Sequence, residues 1–265
     1  MQLLWKASIL TVLYVWSMAA TAALEPGKPT VLITGANRGI GLEFVRQFGA
    51  RGWNVIATAR TPKKADELNA LAAENSQIVV EQLDVTDHTR IDWLADIYKD
   101  QPIDILLSNA GITPKYASAF RRLKGVDFDM ALQSLEVNAI GPLKLAQAFM
   151  NHVAASEQKK IIVISSKGGS FAEGPEFPMM YSYRASKAAL NMYMYALSFE
   201  TPKKGIILTL LSPGSVRTFD LQGMKPPDMI EVDESVSKML KVIDGLTAEH
   251  NGKFLGYESG ELVAW

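Results

Sequence analysis

The chain has 265 residues, a formal net charge of −1 and no cysteine. This length suits one large domain or two small ones, with enough chain for a sizeable core. The near-neutral charge gives no indication of a nucleic-acid or polyanion-binding surface. The lack of cysteine excludes disulfides and thiolate metal sites, and His88, His152 and His250 are too far apart to show ligand spacing, so we expect no metal.

The N-terminal segment differs from the rest of the chain. After Lys6, residues 7–24 carry no charge, and the small residues ATA occupy 20–22. This pattern is typical of a secretory signal peptide, and the run is also just long enough for an uncleaved membrane anchor. A surface-packed extension is disfavoured because the run is apolar on every face. We predict a leader and linker over residues 1–27 and one domain over 28–265, with export, membrane association and a cytoplasmic location left open.

From Thr30 onward, short β-branched runs alternate with amphipathic stretches. The predicted strands cover 30–34, 53–59, 77–83, 103–108, 160–165, 205–211 and 252–257. The predicted helices cover 40–51, 63–74, 88–100, 129–155, 182–201 and 233–246. Continuous apolar strands separated by helices are typical of a parallel sheet covered on both faces. The sequence therefore predicts a single α/β domain with a Rossmann-type, doubly wound parallel sheet, whose ligands bind beyond the carboxyl ends of the strands.

The first predicted strand runs into a glycine-rich turn. In TGANRGIG, residues 34–41, the glycines are Gly35, Gly39 and Gly41. Glycine lets a backbone turn tightly and approach a pyrophosphate at a helix N-terminus. The spacing departs from GxGxxG, and such turns also occur for geometry alone. Its position after the first strand of a βαβ unit nevertheless predicts a dinucleotide site.

The end of the second strand indicates which dinucleotide is bound. An NAD site usually has Asp or Glu there, to bond the ribose 2′-hydroxyl. This chain has Ala59 and Arg60, and Arg38 lies inside the glycine turn. Two guanidiniums at that corner suit a 2′-phosphate, although each is also a common surface residue. We predict NADP(H) in preference to NAD(H).

Polar residues also follow the third and fourth strands. Asp84 lies in LDVTD, and Asn109 lies in SNAG at 108–111. The acid could accept a bond from the adenine amino group, and the small residues around Asn109 would let the backbone approach the cofactor. Each residue can equally be a helix cap or a turn residue.

The stretch YSYRASKAAL, residues 181–190, suggests a catalytic pair. Tyr183 has Lys187 four positions on, on the same helical face, whereas Tyr181 has Ala185. Hydride transfer to a carbonyl leaves alkoxide charge that needs a proton, and an ammonium about 4 Å away would lower a phenol pKa by about three units. A serine of SSKGGS, 165–170, would polarise the carbonyl. The alternative is an interface helix with packed tyrosines and a solvated lysine.

The motifs TGANRGIG, NAG, SS before YSYRASK, and SPGSVRT occur in this order from about residue 30 onward and resemble the short-chain dehydrogenase/reductase family. YSYRASKAALNM with the ending GKFLGYESGELVAW further resembles the C-factor and sniffer-like carbonyl reductases. The resemblance implies a catalytic tetrad of Asn138, Ser166, Tyr183 and Lys187. In it, Asn138 arranges a water behind Lys187. Ser166 is preferred to Ser165 on the alignment alone.

The same resemblance implies a set of cofactor-binding residues and an oligomer. The set is Gly35, Asn37, Arg38, Gly39, Ile40, Gly41, Arg60, Asp84, Val85, Asn109, Ala110, Gly111, Tyr183, Lys187, Pro213, Gly214, Val216 and Thr218. The family habit is a homodimer or homotetramer built on the long helices, here 129–155 and 182–201.

The expected activity is that of an NADPH-dependent carbonyl reductase or alcohol dehydrogenase acting on a small, apolar substrate. The substrate is expected between residues 167–181 and 217–231, with candidate lining residues Phe171, Phe177, Met179, Met180, Phe219 and Met224. The alternative is a nucleotide-binding, C-factor-like signalling or surface protein in which catalysis is incidental. The leader supports this alternative, because an exported reductase would meet little NADPH.

Overall fold

The fold is a seven-stranded parallel sheet, seen in a computed structural model that describes residues 24–113, 122–218 and 229–265. The strands pair in the order β3-β2-β1-β4-β5-β6-β7, all in parallel. Their bounds are β1 Thr30–Ile33, β2 Asn54–Ala59, β3 Ile78–Gln82, β4 Ile105–Ser108, β5 Lys160–Ile164, β6 Ile207–Ser212 and β7 Lys253–Gly256. This confirms the predicted doubly wound α/β fold.

Helices cover both faces of the sheet. Those in the described residues are α1 Gly39–Ala50, α2 Asp66–Glu74, α3 His88–Ile97, α4 Phe128–Leu135, α5 Gly141–Ala154, α6 Tyr181–Leu197 and α7 Val232–Asp244. Side chains alternate along each strand, so Val31 and Ile33 of β1 join a core with α1, α2 and α7. Leu32 joins the opposite core, with α3, α5 and α6. Apolar residues that alternate along each strand therefore hold one layer of helices on each face of the sheet.

The chain reverses direction across the sheet beside β1. It runs outward through β2 and β3 and then returns to place β4 on the other side of β1. The carboxyl ends of β1 and β4 thus flank the topological switch point, where ligands bind in open α/β sheets. The glycine turn follows β1, and the SNAG residues end β4, so both motifs are at this point.

The helix predicted over 129–155 is interrupted. A π-helical turn, Glu136–Ile140, separates α4 from α5. Pro142 has no N–H to donate to the carbonyl of Asn138, four residues earlier, so regular α-helical bonding fails at this position. Gly141 also packs closely on Val85, whose carbonyl oxygen would be 2.9 Å from an added Cβ. Asn138 lies within this turn and is fully buried.

Residues just before β1 are attached to the sheet at the amino ends of the strands. The Glu25 amide donates to Asn54 Oδ1 over 2.9 Å, and Asn54 Nδ2 donates to the Glu25 carbonyl over 2.9 Å. Leu24 packs against the core formed with α3, α5 and α6. The last residues of the predicted leader and linker therefore contact the domain, whereas residues 1–23 lie outside the described part. Within the described ranges, no helix is long and apolar enough to cross a membrane.

Candidate active site

The glycine turn after β1 is a tight cradle at the N-terminus of α1. Gly35 has a φ of +67°, and a Cβ there would lie 2.8 Å from Ala110 Cα. A Cβ on Gly41 would lie 2.2 Å from the Gly35 carbonyl oxygen. Any larger residue would displace the turn at these two positions. The backbone can therefore approach a ligand closely, as a pyrophosphate requires.

Polar contacts tie this turn to the end of β4. Thr34 Oγ1 accepts bonds from the amides of Asn109 and Ala110, each over 3.0 Å. Asn109 Nδ2 donates to the carbonyls of Thr34 and Gly35, over 3.0 and 3.2 Å. The Asn109 side chain thus holds the glycine turn in place. Sequence reasoning missed Thr34, although a hydroxyl at the last position before the glycine turn was a usable signal.

The two predicted 2′-phosphate ligands lie at one corner of the sheet. Arg38 immediately precedes α1 and Arg60 immediately follows β2; both are exposed. The Ala36 amide donates to the Thr58 carbonyl over 2.9 Å, which joins the turn to the end of β2. Across the three described ranges neither guanidinium forms an ion pair, so both are available to an anion.

Asp84 forms a turn beyond β3. Its Oδ1 accepts bonds from the Thr86 amide and hydroxyl, over 3.0 and 2.8 Å. The cap of α3 is Asp87, whose Oδ1 accepts from the Arg90 amide over 2.9 Å. The helix-cap interpretation of Asp84 is therefore wrong, and its other carboxylate oxygen has no protein hydrogen bond within the described chain.

Tyr183 and Lys187 lie together on the inner side of α6. Lys187 Nζ is 5.9 Å from the centre of the Tyr183 ring, and the Lys187 residue is only 6% exposed. The ammonium donates to the Ile164 carbonyl at the end of β5 over 2.9 Å. A solvated lysine, as in the interface-helix interpretation, is therefore excluded.

Burial dominates the electrostatics of this pair. It lowers the pKa of Lys187 to about 8. It raises the pKa of Tyr183, and hydrogen bonding with Ser166 opposes that rise. The sequence-based expectation of a lowered Tyr183 pKa is thus wrong for the protein alone. The free-energy cost of removing the phenolate from water outweighs its attraction to the Lys187 ammonium, because the two groups are not in hydrogen-bond contact.

The two neighbouring serines have different surroundings. Ser165 is buried, and its hydroxyl donates to Asn191 Oδ1 over 2.5 Å. Ser166 is half-buried and accepts a bond from the Gly168 amide over 3.1 Å. Because Ser166 is also the hydrogen-bonding neighbour of Tyr183, it is the serine placed beside the phenol.

Asn138 holds the inner end of the site together. Its Oδ1 accepts from the Ile112 amide over 2.7 Å. Its Nδ2 donates to the Ile112 carbonyl and to Ser186 Oγ, each over 2.9 Å. Ser186 Oγ in turn donates to the Tyr183 carbonyl over 2.7 Å. Sequence reasoning missed Ser186, although it directly precedes Lys187 in the same motif.

The segment after β6 returns toward the glycine turn. The Pro213 carbonyl accepts from Ser235 Oγ over 2.7 Å, and Gly214 packs on the ring of Tyr257. A Cβ on Gly39 would lie 3.5 Å from Thr218 Cγ2. Of the predicted cofactor residues after β6, Thr218 therefore adjoins Gly39 of the glycine turn. Phe219 and Met224, predicted to line the substrate pocket, lie outside the described residues.

Phe171 and Met179 border a cavity of about 260 Å³. Its other lining residues are Gly168, Gly169, Ser170, Pro178, Tyr181, Arg184, Ala185 and Ala188. Helical spacing puts Tyr181, Ala185 and Ala188 on the side of α6 opposite the buried side that carries Lys187. Of the predicted lining residues that the structure describes, Phe171 and Met179 thus border a cavity on the outer side of α6, whereas Phe177 and Met180 do not line it.

Comparison with known proteins assigns the chain to a family. The family model of the short chain dehydrogenases matches residues 29–227. The NADPH-bound carbonyl reductase from chicken fatty liver is 35% identical, with a TM-score of 0.81 over 90% of this chain and 99% of its own. The carbonyl reductase Sniffer of D. melanogaster is 31% identical, with a TM-score of 0.79 over 90% and 100%. The C-signal of Myxococcus xanthus is 35% identical over 164 residues, 62% of this chain and 93% of that protein.

The chain therefore belongs to the short chain dehydrogenase family and is an oxidoreductase of that family. The resemblance to the C-factor and sniffer-like carbonyl reductases is confirmed by these relatives. The glycine cradle and the two arginines without ion pairs fit a dinucleotide. No group of side chains in the described residues could hold a metal ion.

The cradle predicts that Gly41→Ala weakens dinucleotide binding. The new methyl group would meet the Gly35 carbonyl at 2.2 Å, so the turn must shift. We expect the Kd for NADPH to rise at least about tenfold, or ~1.4 kcal/mol, in a fluorescence titration. Gly245→Ala is the control, because its nearest neighbour would lie at an ordinary 3.6 Å. Equal affinity for the two variants would contradict the assignment of the turn.

Proposed function

We propose that the protein is an NADPH-dependent carbonyl reductase that transfers hydride to a ketone or aldehyde, with Tyr183 as the acid and base. The supporting observation is the placement of Tyr183, Lys187 and Ser166 at the sheet edge that also carries the glycine turn. The same site catalyses the reverse, alcohol-dehydrogenase reaction. The substrate is a small molecule, and we propose that it is mostly apolar.

Ser166 and Tyr183 act on the carbonyl oxygen in this mechanism. Bound NADPH supplies the hydride. Ser166 Oγ accepts from the Gly168 amide, and its hydroxyl beside Tyr183 can rotate to donate to the carbonyl oxygen of a substrate. Burial raises the pKa of Tyr183, so the phenol holds its proton at neutral pH and donates it to the alkoxide that forms.

Lys187 and Asn138 support Tyr183 from behind. One ammonium hydrogen is bound by the Ile164 carbonyl, and the other two remain for the nicotinamide ribose and for a proton-relay water. Gly111 has no side chain there; a Cβ would lie 3.3 Å from Asn138 Oδ1 and 3.9 Å from Lys187 Nζ. The Asn138 amide oxygen and the Lys187 ammonium therefore both lie close to Gly111, where the proposed relay water would sit.

The preference for NADP(H) over NAD(H) rests on Arg38 and Arg60. Both guanidiniums are exposed beside the glycine turn, and the strand end at Ala59 offers no carboxylate for a ribose 2′-hydroxyl. The carbonyl reductase from chicken fatty liver is NADPH-bound, which supports the same assignment. The remaining cofactor contacts in this proposal are those that the family resemblance implies for the residues after β1, β3, β4 and β6.

The outer side of α6 supports a homodimer or homotetramer. Tyr181, Met192, Tyr195 and Phe199 are all exposed on or just beyond this side. Exposed apolar area of this kind is typical of protein interfaces.

We also propose that residues 1–27 are a leader and linker. This segment would either direct export of the domain or attach it to a membrane.

A second candidate function is signalling, with catalysis incidental. The similarity to C-signal favours it. The pairing of Tyr183 with the buried Lys187 favours an enzyme, because a protein that only binds a nucleotide has no use for a phenol placed beside an ammonium.

Tyr183→Phe tests the proposed function. Loss of the phenol proton should lower kcat for carbonyl reduction by about 10²- to 10⁴-fold, measured by NADPH consumption over a panel of ketones and aldehydes. NADPH should still bind, because the glycine turn, the two arginines and Lys187 are unchanged. Tyr181→Phe is the matched control, since this residue lies on the outer side of the same helix. If a biological role survives Tyr183→Phe with the cofactor still bound, the signalling function is favoured.

The double variant Arg38→Ala with Arg60→Ala tests the cofactor preference. A charge-assisted hydrogen bond contributes about 1.5–3 kcal/mol, so the KM for NADPH should rise more than about tenfold. The KM for NADH should change little, because NADH has no 2′-phosphate. Arg46→Ala, on the exposed side of α1 and paired with Glu43, is the control. Equal effects on both cofactors would overturn the assignment.

The lowered pKa of Lys187 predicts a pH-dependent rate. Lys187 carries a positive charge below its pKa of about 8, and this charge is lost as the pH rises through that value. The kcat/KM for reduction should therefore be constant below this pH and fall by up to about tenfold per pH unit above it. Thermal unfolding measured over the same pH range separates loss of charge from loss of fold. A rate that stays level well above the pKa would contradict a role for the charge.

A further inference from the structure

The residues that follow β7 fold back along it. The Gly256 amide donates to the Glu261 carbonyl over 2.8 Å, and the Val263 amide donates to the Phe254 carbonyl over 2.8 Å. Leu255 and Leu262 form an antiparallel bridge. We call residues 261–265 the C-terminal strap. Its course is fixed by backbone bonds to the edge of the sheet.

The strap then grips the loop that follows β5. The Ala264 carbonyl accepts from Ser170 Oγ, and the Ala264 amide donates to Glu173 Oε1, each over 2.7 Å. The Trp265 carbonyl accepts from the Ala172 amide over 3.2 Å. These three bonds join two segments that are more than ninety positions apart in the chain.

The Trp265 ring anchors the strap on the body of the protein. Its centre lies 5.7 Å from that of Phe254 in β7 and 5.5 Å from that of Tyr195 on α6. Aromatic contacts of this kind add about 0.5–1.5 kcal/mol to the burial of the rings. The strap therefore has a fixed position relative to α6, the helix that carries Tyr183.

Inside the gripped loop, Glu173 and Ser170 act together. Ser170 Oγ accepts from the Glu173 amide over 2.8 Å while donating to the strap. Glu173 Oε2 forms an ion pair with Lys167 Nζ over 3.2 Å. Lys167 is the residue next to Ser166, so the carboxylate of Glu173 links the strap to the start of the loop.

The other side of the same loop meets the site. Gly168 donates its amide to Ser166 Oγ and accepts from Arg184 Nε over 3.2 Å. Gly169 packs on the backbone of Lys187, whose carbonyl carbon would be 2.7 Å from an added Cβ. Residues 166–170 are thus held between α6 and the strap, with little freedom to move away from Tyr183.

We propose that Glu173 and Trp265 are positioning residues, through which the C-terminal strap holds the Ser166 hydroxyl beside Tyr183. The inference rests on the proposed function, because it assigns a purpose to the position of Ser166 in catalysis. Neither residue touches the reacting atoms in this scheme. Their effect is on the geometry of the loop and therefore on turnover.

The test compares Glu173→Ala and Trp265→Ala in the full chain. A displacement near 1 Å can cost up to about a hundredfold in rate, so kcat should fall by about ten- to a hundredfold. The Kd for NADPH should remain within about twofold of wild type, because the glycine cradle is on other elements. Hydrogen–deuterium exchange of peptides covering 166–174 should become faster, which reports on the loop independently of activity.

Conservative variants and a matched control separate positioning from general destabilisation. Trp265→Phe keeps ring contacts and should restore most of the turnover. Glu173→Gln keeps an acceptor for the Ala264 amide but loses the Lys167 ion pair, so its kcat should lie between those of wild type and Glu173→Ala. Glu176→Ala removes an exposed acid of the same loop that has no hydrogen bond or ion pair with any described residue, so this variant should behave as wild type.

The outcomes distinguish this inference from the proposed function. Wild-type kcat and exchange in both alanine variants would overturn the strap assignment, even if Tyr183→Phe is inactive. If Tyr183→Phe retains turnover, the proposed function fails, and exchange of residues 166–174 still reports whether the strap holds the loop. If Trp265→Ala does not fold, the kcat and exchange of the two variants Glu173→Ala and Glu173→Gln decide whether the strap positions the loop. A loss in Glu176→Ala equal to that in Glu173→Ala would also count against positioning.

Discussion

The Lys187 ammonium lies inside the protein, and a charge removed from water is costly unless polar groups replace the lost solvation. The Ile164 carbonyl at the end of β5 is its hydrogen-bond partner. This contact constrains how α6 packs on the sheet together with Leu190 and Met194, because Lys187 can reach that carbonyl only if the side of the helix that also carries these two buried residues faces inward. Tyr183 then lies at the same edge, and the outer side of α6 remains apolar and exposed.

The topology brings the other parts of the site to that edge. Parallel strands end on one side of the sheet, so the residues after β1, β4, β5 and β6 meet although they are far apart in sequence. Thr34 and Asn109 join the first two of these ends, and Thr218 brings the fourth beside Gly39. The strap adds a contribution from beyond β7, which sequence reasoning did not connect with the site.

Much of the architecture was readable from local patterns. Buried β-branched runs predicted both ends of every strand to within two residues, and helical spacing paired Tyr183 with Lys187. The same reasoning missed the interruption at Asn138 because it followed the apolar pattern, which continues across it, although Pro142 was a usable signal. It also misjudged the pKa of Tyr183. Burial opposes ionisation of the phenol, and burial depends on residues from β5 and the loop after it rather than on the helix alone.

The sequence by itself determined the fold class, the glycine turn, the corner arginines and the Tyr–Lys spacing, because each depends on residues close together in the chain. Only the tertiary structure placed Ser166 rather than Ser165 beside Tyr183, assigned Asn109 to the glycine turn and connected residues 261–265 to the loop after β5. These outcomes depend on hydrogen bonds between distant segments. Two neighbouring serines have the same chemistry, and only the packed surroundings give one of them to Asn191 and the other to Tyr183.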